Sequence, residues 1–464
     1  SLAEGLNKID VTKGSVIIKE GDPGDCAYIV SCGQFVVEKF GHTLTVYSEG
    51  DIFGEIALLD DRPRTATIIA KSSGSLYRMD RNILEDDSII AADTRARLYK
   101  ALIKQITAYL RQGNDLFDEI DVLLIQDGGC APGYNPVTAF ISEYLEKVSR
   151  RVYIAAEGFK SLVSNYVNDY RCLIYSKERF NEFDHIPGVM FSPPLRSRRG
   201  AEFRRERFHE FKEMSNQKTA VQNIIDRKVK VLIGIGGNGT FAGIRALSEM
   251  LPDSIQSFFI PVTIDSDISG TACIGEYTGV EVGAEKIRCY MADARTHNRC
   301  YIIEMMGARG GYHALHSCLG AGAHLAVLPS SKYDLKKLVS AINPREETVI
   351  VVAEGYKSNV RKLENYQGNA AEYFRDELFE AGLNTKQRVI CEPFSRDIRG
   401  AAPNNMDIML AYRMARKLKE LLLSGATRVM PAVQAEREYS IPFDEIKTDN
   451  SVESRLASLA NRLY

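Results

Sequence analysis

Between residues 10 and 80 short apolar runs alternate with glycine, aspartate and serine: SVIIKEGD, CAYIVSCGQFVVEKFG, TLTVYSEGD and TATIIAKSSGSLYRMD. Runs of that length, so punctuated, predict a small β roll or barrel. From Asp93 the apolar period lengthens. In DTRARLYKALIKQITAYLRQ, Leu98, Leu102, Ile106, Tyr109 and Leu110 fall on one helical face, with Asp93 or Thr94 as cap. The helix is expected to stop near Gly113, and the residues from there to Phe117 are too few for a slack linker. Beyond them VLLIQ, RRVYIAAEG, VKVLIGIGG, FFIPVTID, RCYIIEMMG, AHLAVLPS and TVIVVAEG alternate with helical stretches. Continuous Val/Ile runs ending at Gly or Asp predict parallel strands buried on both faces. The second part therefore reads as a two-lobed α/β domain of about 350 residues. The expected division is a β-rich domain over 1–113 and an α/β domain over 118–464.

Composition narrows the function classes. Lys plus Arg number 59 against 61 Asp plus Glu, which leaves no global field to draw in nucleic acid or an anionic membrane. No apolar run approaches the ~20 residues that span a bilayer. The nine cysteines are scattered singly without a CxxC pair, which suggests neither a zinc ribbon nor a redox motif and fits a reducing, cytoplasmic setting. A cytoskeletal or ciliary assembly remains open. The seven histidines form no HExxH arrangement and read as packed or surface residues. The chain opens on Ser1 with no signal-like segment after it, as expected of a chain that starts inside a longer protein.

Two constellations carry chemistry. In EGDIFGEIALLDDRPRTATII, Gly54 lets backbone approach a ligand, the amides from Glu55 to Leu58 can form a short nest, and Arg64 adds a guanidinium. Glu55 can accept from a sugar hydroxyl; a surface turn with solvated Glu and Arg is the plain alternative. In the second part the loops QDGGCAPGYN, GIGGNGTFAG and TIDSDISGT each follow a strand, where open α/β sheets bind ligands. Gly128, Gly129 and Gly133, like Gly236, Gly237 and Gly239, can bring amides against phosphates. Asp265 and Asp267 suit a general base beside a metal-facing carboxylate.

The first string resembles the phosphate-binding cassette of cyclic nucleotide-binding domains, with its FGE-x-AL…RxA pattern, and the likeness covers about residues 1 to 113. The resemblance implies cAMP or cGMP contacts at Gly54, Glu55, Ile56, Ala57, Arg64, Thr65 and Ala66. Glu55 would take the ribose 2′-hydroxyl, Arg64 the cyclic phosphate, and Thr65 would bias the site weakly towards cGMP. The helix from Asp93 would be the lid, with Tyr99 or Tyr109 over the base.

The second set resembles phosphofructokinase, whose motifs GGxAPGxN, GGDGS/T, TIDNDIxGT and MGR recur in order over roughly residues 118 to 445. The resemblance implies ATP and Mg2+ as cofactors and fructose 6-phosphate as substrate. Asp265 would be the base for the sugar 1-hydroxyl, with Thr263 positioning substrate and Asp267 beside it. Arg299 would bind the sugar phosphate from a neighbouring subunit of a homo- or hetero-oligomer. Met306 and Gly307 would line the sugar, Glu354 would hold a sugar hydroxyl, and Arg399 would meet the sugar phosphate. Gly128, Gly129, Arg199, Gly237, Asn238, Gly239 and Thr240 would hold ATP. The remainder of the basic stretch RSRRGAEFRRERFHEFKEM reads equally as a solvated helix.

Several positions depart from the pattern. Asn238 stands where the family has its magnesium-binding aspartate, so it can coordinate but adds no charge. Ala308 replaces the MGR arginine, with Arg309 next to it. Pro193 and Pro194 remove amide donors before the basic stretch, and Arg396 stands at a frequent histidine. Gly239, together with Val262 before the TID motif, favours ATP over pyrophosphate. Two functions stay in view: a cyclic nucleotide-regulated 6-phosphofructokinase, and a catalytically degenerate sensor, regulatory subunit or scaffold of the same fold.

Overall fold

The computed structural model describes residues 6–39, 42–55, 58, 63–64, 67–85, 91–103, 119–166, 169–184, 186–203, 208–307, 310–329, 331–394, 396–448 and 454–463. The chain forms two compact units: residues up to 118 with Ser176–Phe191, and Glu119–Tyr175 with Ser192–Tyr464. The sequence pattern gave a single boundary, whereas one short segment of the later chain groups with the first unit.

In the first unit, strands β1 (Asn7–Val11), β2 (Val16–Ile18), β3 (Cys26–Cys32), β4 (Phe35–Lys39), β5 (His42–Tyr47), β6 (Ile52–Phe53), β7 (Thr67–Ala70) and β8 (Gly74–Asp80) make two antiparallel sheets. Their orders are β1-β8-β3-β6 and β2-β7-β4-β5. The inward side chains include Tyr28, Val30, Phe35, Phe53, Ile68 and Leu76. Tyr28, Phe35 and Tyr47 crowd Phe53 at ring-centroid distances of 5.4, 5.9 and 5.3 Å. That aromatic anchor fixes the chain just before Gly54. A helix over residues 92–103 places Leu98 and Leu102 against Ala27, Met79 and Ile83. The rest of the expected lid helix, with Ile106, Tyr109 and Leu110, and the joining residues lie outside the described residues.

The second unit has a larger sheet built on β9 (Val122–Gln126), β10 (Val152–Ala155) and β11 (Tyr170–Ile174). The segment that groups with the first unit then ends in β12 (Val189–Phe191). Strands β13 (Val231–Gly236), β14 (Gln256–Pro261), β15 (Arg299–Met305), β16 (Leu325–Val327), β17 (Thr348–Ala353), β18 (Arg388–Phe394), β19 (Val429–Gln434) and β20 (Arg437–Pro442) follow. The larger sheet runs β11-β10-β9-β13-β14-β19-β20, parallel from β10 to β19 with antiparallel flanks. The smaller sheet, β16-β17-β15-β18, is parallel throughout. Every residue of β9, β13 and β17 is buried, as continuous apolar runs require. Five helices matter below: α1 (Tyr134–Glu146), α2 (Asn238–Met250), α3 (Glu276–His297), α4 (Tyr312–Ala321) and α5 (Asn405–Leu423).

Candidate functional site

Because β9, β13 and β14 are parallel neighbours, the loops after them leave the sheet at one edge. There they line a cavity of about 560 Å³ that brings together Gly128, Gly129, Gly237, Asn238, Gly239, Thr263, Asp265, Asp267 and Arg399. Backbone dictates much of this. A β-carbon on Gly236 would lie 2.2 Å from Thr240 Oγ1 and 2.4 Å from the Asp127 carbonyl oxygen, so only glycine lets the first two loops touch. Gly128 turns with φ of +99°. Helix α2 begins at Asn238 with no side-chain cap, so its first amides are available to an anion. A β-carbon on Gly239 would meet nothing within 4 Å.

The carboxylates are held by their own loop. Thr263 Oγ1 accepts from the Asp265 amide at 3.1 Å, and its side chain also faces the Asp267 carboxyl. Burial pushes Asp267 above the usual carboxylate range, opposed by its own amide and by Thr263. Asp267 Oδ1 is buried without a hydrogen-bond partner, an acceptor that suits a ligand. Arg399 lines the cavity while one Nη1 donates to the Cys130 carbonyl at 3.2 Å.

A second group assembles at the ends of β15 and β17. The Gly307 amide donates to Glu354 Oε1 at 3.3 Å, beside Met306, which is buried. His313 of α4, fully buried, adjoins Gly279 and Gly307 and faces the Ile264 backbone, so it packs this group towards the loop of Asp265. Burial pulls its pKa down to about 4. Ala308 and Arg309 lie outside the described residues.

Arg299, Arg199 and Thr240 join neither the cavity lining nor this second group. Arg299 sits at the amino end of β15, bonded to Asp293 at 2.5 Å and to the Tyr301 hydroxyl at 3.0 Å. Arg199 is exposed, and its backbone carbonyl serves as an acceptor for Asn135. Among the described residues the basic side chains that line the cavity are Lys212, His209 and Arg399. Thr240 is buried behind Gly128 and Gly236. Sequence reasoning passed over Asp127, Phe159, Phe208, Phe211 and Lys212, all of which line the cavity. Phe159 stacks on Phe211 with centroids 4.2 Å apart. The signal was present in RFHEFK, where aromatic and basic residues alternate, but it sits in a short 3-10 turn rather than a periodic element.

In the first unit Gly54 (φ +75°) and Glu55 meet Arg64. The guanidinium donates to the Gly54 carbonyl at 3.1 Å and the Cys26 carbonyl at 2.7 Å, and lies 3.9 Å from Asp25. Glu55 is buried, and burial raises its pKa against the pull of its backbone and of Arg64. Ile56, Ala57, Thr65 and Ala66 lie outside the described residues. Among the described residues no group of three His, Cys, Asp or Glu is arranged to hold a metal ion, and no helix is long and apolar enough to cross a membrane.

The comparisons with known proteins divide along the same line. The family model "Phosphofructokinase" matches residues 121–422, and "Cyclic nucleotide-binding domain" matches residues 8–86. The ATP-dependent 6-phosphofructokinase of Macrococcus caseolyticus is 27% identical over 352 residues, covering 74% of this chain and 98% of that protein. The enzyme of the same name from Staphylococcus epidermidis is 28% identical over 351 residues, with the same coverage. Among solved structures, Pichia pastoris phosphofructokinase in the T-state matches at a TM-score of 0.58 and 22% identity, over 70% of this chain. This chain spans 35% of that longer one. The pyrophosphate-dependent phosphofructokinase of Nitrosospira multiformis matches at 0.59 and 17% identity, over 72% of this chain and 86% of its own. At such identities the structural likeness speaks for the fold alone. With the match over residues 121–422 covering well over half its length, the chain belongs to the phosphofructokinase family and carries a cyclic nucleotide-binding domain ahead of that fold.

Proposed function

We propose that the second unit transfers the γ-phosphoryl group of ATP to the 1-hydroxyl of fructose 6-phosphate, under control of cAMP or cGMP bound by the first. In this reading residues 1–113 are the sensor and 118–464 the transferase. The observation that carries it is the single cavity shared by Asp265, Asp267, two glycine loops, the open start of α2 and Arg399.

The amides of Gly128, Gly129 and the first turn of α2 cradle the phosphates, and the aromatic wall of Phe208 and Phe211 offers a face to the base. Asp265 accepts the proton of the sugar 1-hydroxyl as that oxygen bonds to the γ-phosphorus. The bond from that phosphorus to the β–γ bridging oxygen breaks, and ADP leaves. Thr263 braces the loop that carries both carboxylates, while Arg399 and the Met306–Gly307–Glu354 group hold the sugar phosphate. Asp127, Asp267 and Asn238 offer oxygens to a nucleotide-borne Mg2+, which typically keeps water and phosphate among its ligands and would neutralise phosphate charge there. Arg299, at the far end of β15, suits donation to a neighbouring subunit's site, which makes the active form an oligomer. The reading includes a cytoplasmic setting.

A second reading, a ligand-binding domain without turnover, is favoured by one observation: a neutral amide, Asn238, occupies the place of a charged metal ligand at the cavity. A coupled assay with ATP, magnesium and fructose 6-phosphate separates them. Turnover that falls by about 10² to 10⁴ in Asp265→Ser supports transfer. Sugar and nucleotide binding without turnover supports the second reading.

A further inference from the structure

Asp407, in the first turn of α5, is fully buried. Its carboxylate reaches across to the start of α3. Oδ1 accepts from the Gly275 amide at 2.8 Å, and Oδ2 from the Thr278 amide at 2.7 Å and from the Thr278 hydroxyl. Donors on both oxygens are what a buried carboxylate requires. Asn404 caps α5 by accepting from the Asp407 amide at 3.0 Å, and its own amide donates to Thr278 Oγ1 at 2.9 Å. Glu276, the first residue of α3, is buried as well, yet Asp407 receives the amides on either side of it.

The bond to Gly275 leads towards the cavity. Gly275 turns with φ of +106°, and a β-carbon there would lie 2.8 Å from the Pro132 carbonyl oxygen, so the turn admits glycine alone. The preceding residue, Ile274, accepts from the Thr263 amide at 3.0 Å and donates to the Pro261 carbonyl at 3.1 Å. Thr263 Oγ1 in turn accepts from the Asp265 amide. Hydrogen bonds and one peptide link therefore join Asp407 to Asp265 without a gap. Asp407 also follows Arg399 on one segment, SRDIRGAAPNNMD.

We propose that Asp407 is a positioning residue: through Gly275 and Ile274 it sets the loop of Asp265 against the segment that carries Arg399. The inference rests on the reading of Asp265 as the base and of Arg399 as a sugar-phosphate ligand. A plain staple between α5 and α3 would depend on the Thr278 bonds as much as on the Gly275 bond. A positioning residue acts through Gly275. In Asp407→Asn the amide oxygen is expected to stay with Thr278, where it meets two donors, which leaves its NH2 facing the Gly275 amide, donor against donor. Thr278→Val loses the hydroxyl bonds and keeps the Gly275 bond.

The test uses the full chain. It reads melting temperature, amide hydrogen exchange at Thr263, Asp265 and Gly275, kcat/KM for fructose 6-phosphate and KM for ATP. Both substitutions are expected to lower the melting temperature. Asp407→Asn alone is expected to speed exchange at the three amides and to lower kcat/KM for fructose 6-phosphate by about tenfold each, the scale of one lost buried hydrogen bond. The first glycine loop has its own brace, the Tyr134 hydroxyl donating to the Asp127 carbonyl at 2.6 Å. KM for ATP therefore stays within about threefold. Thr278→Val stays within about threefold of wild type in exchange and in kcat/KM. Should Asp407→Asn not fold, exchange of the wild type in low denaturant serves instead: Thr263, Asp265 and Gly275 are expected to open together, with protection equal within about threefold. Thr278→Val as damaging as Asp407→Asn, unchanged exchange in Asp407→Asn, or separate openings in the wild type overturn the proposal. A wild type without turnover refutes the proposed transfer, while the exchange measurements still decide the role of Asp407.

Discussion

In the first unit the Arg64 guanidinium is buried and already donates to the carbonyls of Gly54 and Cys26. In the second, the donors are backbone amides at the start of α2 that face a cavity of about 560 Å³. The first site is thus held together by the side chain that would bind the ligand. The second is held together by glycines and by Thr263, and its chemical groups are left over for ligand. The same substitution logic should therefore give different results in the two places. Removing the key group should cost stability in the first and chemistry in the second.

The largest expected effect is on chemistry. Asp265→Ser should lower kcat by about 10² to 10⁴, or about 3 to 5 kcal/mol, with little change in melting temperature. Loss of stability without that rate change would show that the second site resembles the first.

His313 gives the next effect, and it is one of pH. Its folded pKa of about 4 lies below the ordinary 6.5, so the unfolded chain binds the proton first as pH falls between those values. Stability contributed by neutral His313 is full above about 6.5 and is lost down to about 4, worth about 3 kcal/mol. Glu276 works oppositely: its pKa, raised to about 7 from 4.5, removes stability as pH rises through that window. Melting curves of wild type and His313→Leu across pH 4 to 7 isolate the first term; the acid limb of the mutant should be flatter by about that amount.

Two glycines sharpen the contrast within the cleft. Gly236→Ala forces a β-carbon onto Asp127 and Thr240 and should destabilise by about 1 to 3 kcal/mol. Gly239→Ala meets open space inside a helix and should stabilise by up to about 1 kcal/mol while weakening ATP. Calorimetry of melting and of ATP binding reads both. In the first unit, Arg64→Ala strands two carbonyls and should lower that unit's stability by about 1 to 3 kcal/mol as well as abolishing cyclic nucleotide binding. Lost binding with full stability would contradict the contrast.

What the sequence revealed follows the same physics. Runs such as VLIGIG and TVIVVA were legible because burial on both faces leaves no polar position to blur them. The strand RVICEPF was not, since its exposure is mixed and Pro393 interrupts the pattern. Glycine loops were legible because conformational need restricts the residue type. Phe208, Phe211 and Lys212 were hidden in a charged segment with no regular period, and Arg199, singled out in that stretch, does not line the cavity. Glu276 and His313 stood at apolar-patterned helix starts, where only tertiary neighbours reveal a polar role.

The most direct measurement is ADP formation by the full chain with ATP, magnesium and fructose 6-phosphate, with and without cAMP or cGMP. The account expects sugar-dependent ADP formation whose rate changes when a cyclic nucleotide is added, and does not change in Arg64→Ala. An absence of sugar-dependent ADP formation under every condition would contradict it.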